Sequence, residues 1–69
     1  MPHIDITMYP GRSSEVKSAL ARKVQQAVSE GLKMDDKYVS VSIEDVPKED
    51  WEKHMASFNE EDIFVKPQF

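Results

Sequence analysis

With 69 residues, no cysteine, two histidines and a net charge of −4, the chain is one small domain that must be held together without disulfides. A chain this short buries only about 60% of its unfolded surface, and with disulfides and a structural metal both disfavoured, self-association is the remaining aid to stability. The acidic balance argues against gripping nucleic acid, and no apolar run approaches the ~20 residues of a membrane span. The chain therefore reads as soluble and cytoplasmic, with no membrane partner.

The first element is announced by strict alternation in residues 3–9, HIDITMY. Ile4, Ile6 and Met8 share one face, and His3, Asp5, Thr7 and Tyr9 the other, as in a half-buried strand. Pro10-Gly11 ends it, because proline cannot donate to a ladder and glycine allows a sharp turn. Ser13 or Ser14 can then cap a helix, with Glu15 in its first turn. Val16, Ala19, Leu20, Val24, Ala27, Val28 and Leu32 recur at helical spacing, which predicts an amphipathic helix over residues 14–31 ending near Gly31.

Period two returns from Tyr38 to Val46, where Val39, Val41 and Ile43 share a face and predict a second strand. A helix of about 27 Å, at ~1.5 Å per residue, can run back along a strand of about 26 Å. The two strands are therefore expected to be parallel, joined by a right-handed βαβ crossover. Pro47 can open a short second helix through Trp51 toward Met55. The tail Asp62-Ile63-Phe64-Val65-Lys66, closed by Pro67, reads as a strand or an arm packing on a neighbouring chain. The fold class is α+β, and its two-stranded sheet is left with an uncovered edge and face for a second copy to complete.

Three residues stand out chemically. Removal of Met1 would leave Pro2 with a free secondary amine, a group whose ordinary pKa near 8 falls in apolar surroundings or beside a cation, making a general base near neutrality. Proline there can also simply favour methionine removal or suit a strand start. Arg12, in the turn after the first strand, can bind a carboxylate through two parallel hydrogen bonds, or serve as an exposed turn residue. Trp51 is either core, interface or a pocket wall. Pro2 and Arg12 lie at opposite ends of a strand, ~20 Å apart at ~3.3 Å per residue, so they can meet on one small substrate only across two antiparallel chains. His3 and His54 have no metal-ligand spacing, and His3 reads as a polar-face or subunit-contact residue.

Met-Pro at the start, HIDITMY, GRS opening the helix and VSVSIEDV as the second strand together resemble the tautomerase superfamily of 4-oxalocrotonate tautomerase over nearly the whole chain. MPHIDI and IEDVPKEDW resemble most the bacterial subgroup that includes the dimeric phenylpyruvate (phenylenolpyruvate) tautomerase. The resemblance implies a tautomerase-like βαβ fold assembled as a homodimer or trimer of dimers. It implies a keto-enol tautomerase without metal or cofactor, in which Pro2 moves a proton between the enol oxygen and the adjacent carbon of a 2-hydroxydienoate or enolpyruvate. Arg12 matches the arginine that binds the substrate carboxylate, and Trp51 falls at an aromatic wall of the pocket. Ser40 stands where the 4-oxalocrotonate enzymes carry a second arginine in the second strand. That difference favours a mono-carboxylate enol with an apolar tail over a dicarboxylate. No clear match is found for the acidic residue and further arginines of the haloacrylate dehalogenase relatives. The alternative reading is a non-catalytic binding or assembly subunit that retains the fold, since a Pro2 nitrogen still bonded to Met1 is an amide and no base.

Overall fold

A computed structural model describes residues 1–68. Strand β1 (His3–Met8) leads into helix α1 (Ser14–Leu32), a 3-10 turn at Asp36–Tyr38, strand β2 (Ser40–Asp45), a second 3-10 turn at Lys48–Asp50, helix α2 (Trp51–Ala56) and a third 3-10 turn at Glu60–Asp62. The strands are parallel, with His3 opposite Ser40, Asp5 opposite Ser42 and Thr7 opposite Glu44. This register aligns the two period-two patterns. Ile4, Ile6, Val41 and Ile43 share one face of the sheet, and His3, Asp5, Thr7, Ser40, Ser42 and Glu44 the other. The helix packs on the apolar face, as the Lys17–Asp45 ion pair at 2.8 Å from α1 to the end of β2 marks.

Local chemistry moves three boundaries away from the sequence pattern. Strand β2 starts at Ser40 rather than Tyr38, because the Asp35 carboxylate caps the preceding turn by accepting from the Lys37 amide, and the Val39 amide is taken by Asp36. The first free amide, that of Ser40, then donates to the Pro2 carbonyl at 3.2 Å and opens the ladder. Helix α1 runs past Gly31 to Leu32, and Lys33 takes the left-handed conformation at φ 54°. Its cap is closed by the Lys33 and Met34 amides on the Glu30 and Ser29 carbonyls, and by the Ser29 hydroxyl donating to the Met34 carbonyl at 2.5 Å. Beyond Pro47, the backbone makes a 3-10 turn before it becomes α-helical at Trp51.

The strand expected over Asp62–Lys66 does not form. Asn59 caps a 3-10 turn whose Asp62 and Ile63 amides return to the Asn59 and Glu60 carbonyls, and Lys66 pairs with Glu60 at 3.0 Å. Those local bonds take the first two amides of the expected strand. Phe64 and Val65 are left 92% and 86% exposed, so as an arm the segment covers nothing on its own chain.

The core is thin. Among the described residues Val39 alone is buried, at 5% exposure, while Val16, Leu32, Tyr38 and Phe58 stay about half exposed. Gln25, on α1, clamps the approach to β2 by donating to the carbonyls of Asp36 and Val39 at 2.9 and 3.1 Å. Among the described residues no helix is long and apolar enough to cross a membrane.

Candidate active site

The residues singled out from the sequence fall into two groups at opposite ends of the sheet. Pro2 and Ser40 meet where the ladder begins, through the amide-to-carbonyl bond already described. Arg12 and Trp51 meet at the other end, lining a cavity of about 320 Å³ with Thr7, Met8 and Tyr9. Pro2 is absent from that lining, in keeping with the distance expected along one strand. Within a single chain Pro2 and the Arg12 guanidinium are therefore apart.

Arg12 is placed by the turn that precedes it. Gly11 takes φ 126°, a backbone geometry that a side chain disfavours, and this swings the chain from the end of β1 toward the capped start of α1. The Ser13 hydroxyl accepts from the Val16 amide at 3.2 Å and fixes that start. One guanidinium nitrogen of Arg12 donates to the Tyr9 carbonyl at 3.3 Å, which holds the side chain over the end of β1 and leaves its remaining donors free for a ligand. Trp51 stands across the cavity with its ring edge-on to Tyr9, centroids 5.1 Å apart at 84°. The same two rings wall a second cavity of about 540 Å³ that continues along α2 to Met55, with Lys48, Glu49 and Glu52 at its rim. Tyr9 and Thr7 were read from the sequence only as polar-face residues. Their place on the strand face opposite α1, one and three residues before Pro10, is the signal that marks them as site lining.

Ser40 has no charge to offer, and its hydroxyl is already engaged. The His3 ring bonds Ser40 through Nδ1 at 2.7 Å and Ser42 through Nε2 at 2.9 Å, and Ser42 in turn donates to Asp5 at 2.5 Å. Asp5 also shares a hydrogen bond with Glu44. That bond and the Ser42 hydroxyl hold the Asp5 carboxyl below its ordinary pKa, while the bond to Asp5 and the charge beside it push Glu44 up. His3 thus serves the sheet's polar face, knitting the two strands together. His54, at the far end of the same face, bonds the Thr7 hydroxyl at 2.9 Å through Nε2. Among the described residues no group of three His, Asp or Glu side chains is arranged to hold a metal ion.

A guanidinium lining one cavity with two aromatic rings has the chemistry to hold an organic acid, a cation for the carboxylate and rings for an apolar tail. The chain belongs to the Tautomerase family, a family of isomerases: the family model described as "Tautomerase enzyme" matches residues 2–59. A 2-hydroxymuconate tautomerase from Comamonas testosteroni is 45% identical over 51 residues, covering 74% of this chain and 81% of that one. A probable tautomerase from Xylella fastidiosa is 41% identical over 51 residues, and this chain spans only 62% of that relative's length. Among solved structures, one described for the 4-oxalocrotonate tautomerase isozymes of Methylibium petroleiphilum superposes with a TM-score of 0.67 at 42% identity, covering 72% of this chain and 81% of that one. The βαβ architecture read from periodicity is that of this family.

Proposed function

We propose that the chain is a cofactor-independent keto-enol tautomerase for mono-carboxylate enols of the enolpyruvate or 2-hydroxydienoate type, with phenylenolpyruvate as the model substrate. The observation that carries this reading is Arg12 facing Tyr9 and Trp51 across one cavity, a cation for the acid and two rings for the tail. Ser40, held by His3, supplies no second cation at the other end of the sheet. This supports one carboxylate rather than two, and with it the phenylpyruvate tautomerase subgroup.

In this reading the Pro2 amine, freed of Met1, takes the enol proton and returns a proton to the adjacent carbon, while Arg12 of a neighbouring chain holds the carboxylate. The atoms balance, since the O–H bond broken is matched by the C–H bond formed. Met1 is 94% exposed, so no packing obstructs its removal. Self-association, as a dimer or a trimer of dimers, is supported by the thin core and the exposed Phe64 and Val65.

The test is to measure the mass of the purified protein and then follow ketonisation of phenylenolpyruvate and 2-hydroxymuconate. Loss of Met1 with faster turnover of the aromatic mono-acid is the expected result. Retained Met1 with no acceleration over buffer would instead leave a binding subunit with the same fold, and full activity in Pro2→Ala would overturn Pro2 as the base.

A further inference from the structure

Helix α2 carries one wall of the cavity, yet it is only six residues long and none of its residues is buried. A helix that short has no independent stability, so the position of Trp51 depends on what ties α2 to the sheet. Two ties reach β1 and its end. One is the edge-on contact of Trp51 with Tyr9, and the other is the bond from His54 Nε2 to the Thr7 hydroxyl at 2.9 Å. The His54 ring also lies between two aromatic neighbours. Its centroid is 5.7 Å from that of Trp51, tilted by 44°, and 5.2 Å from that of Phe58, edge-on at 88°. Thr7 in turn lines the cavity with Arg12 and Trp51.

We infer that His54 is a positioning residue: its bond to Thr7 latches α2 onto the sheet, and its ring braces the Trp51 indole where the tail of the substrate would lie. The inference rests on the reading of this cavity as the carboxylate-enol site. His54 is absent from the lining of that cavity, so it acts through Trp51 and not on the reacting atoms. The consequence is selective. Loosening the latch weakens binding of an enol with an aromatic tail, leaves a tail-less enolpyruvate unaffected, and changes kcat little for either.

Trp51 is the single tryptophan of the chain, so its emission reports the wall directly and without turnover. The experiment compares the wild type with His54→Leu, His54→Gln, Thr7→Val and the Thr7→Val/His54→Leu double variant, each checked for its helical circular dichroism. The loss of one hydrogen bond predicts KM for phenylenolpyruvate about 3- to 10-fold higher in each single apolar variant, with kcat within about 2-fold for His54→Leu, whose side chain lies outside the cavity lining. Trp51 emission shifts to the red in both. The double variant is no worse than either single, because both remove the same bond. Gln, which can bring an amide near the Nε2 position, restores most of the loss. Wild-type KM and emission in both single variants would overturn the inference, as would an equal loss for tailed and tail-less enols with no rescue by Gln. If the wild type turned over neither enol, the proposed function would fall, while an emission shift on breaking the His54–Thr7 bond would still establish the latch.

Discussion

At the residue scale the decisive distinction is between a charge that is held and one that is free. Arg12 uses one donor on the Tyr9 carbonyl, which orients the guanidinium without consuming it. A charged hydrogen-bonded contact contributes roughly 1.5–3 kcal/mol, so Arg12→Ala is expected to raise KM for phenylenolpyruvate about 10- to 100-fold in steady-state assays. Arg12→Lys should recover part of this, since an ammonium keeps the charge but not the two-pronged geometry. The Asp5–Glu44 pair gives the opposite case, two carboxyls sharing one hydrogen bond on the open face of the sheet. Asp5, whose pKa is lowered, adds stability above its ordinary 3.8 that is lost as pH falls through the lowered value. Glu44, whose pKa is raised, adds stability fully present below its ordinary 4.5 and lost as pH rises through the raised value. Both contributions are retained together between those two values. Glu44→Gln keeps an N–H for Asp5 at every pH, so melting curves from pH 4 to 7 should show the wild type losing stability relative to this variant as pH rises. Parallel profiles would show that the proton is not shared.

At the element scale, periodicity revealed most of the architecture, and it failed where side chains compete for backbone amides. Ile4, Ile6, Val41 and Ile43 sit where alternation placed them, because one face of a sheet against a helix leaves no other register. The start of β2 was not legible, since it is set by the Asp35 cap and the Asp36–Val39 bond rather than by the run of valines. The C-terminal run misled for a related reason, its first two amides, of Asp62 and Ile63, being taken by an Asn59-capped turn. The end of α1 shows the rule in reverse. Gly31 invites a cap, but the bonds to Ser29 and Glu30 place the left-handed residue at Lys33. A residue with a Cβ in that conformation carries about 1–2 kcal/mol of strain. Lys33→Gly relieves it, partly offset by the greater freedom of glycine in the unfolded chain. A gain of about 0.5–1 kcal/mol in denaturant unfolding is expected, with activity unchanged. No gain would place the cap elsewhere in solution.

At the scale of the whole molecule, the position of the site along the sheet carries the argument. Pro2 precedes the first residue of β1 and Arg12 follows its last, so the candidate base and the candidate carboxylate anchor were legible as residues from the sequence, as was their separation. The Tyr9–Trp51 wall and the His54–Thr7 bond were not, because they depend on how α2 folds back over the polar face after Pro47. That separation makes self-association a chemical requirement of the proposed reaction. It also yields a test that no single-chain site can pass. Assayed with phenylenolpyruvate well below the wild-type KM, chains carrying Pro2→Ala and chains carrying Arg12→Ala each keep only a small fraction of wild-type activity alone. In an antiparallel dimer formed from both, one of the two sites loses both residues, while the other combines an intact Pro2 with an intact Arg12. Random re-pairing after unfolding and refolding an equal mixture makes half the dimers mixed with one live site in each, so about a quarter of wild-type activity should return. If both residues of a site came from one chain, mixing would restore nothing. The recovered fraction therefore reads directly whether the two ends of β1 serve one site across two chains.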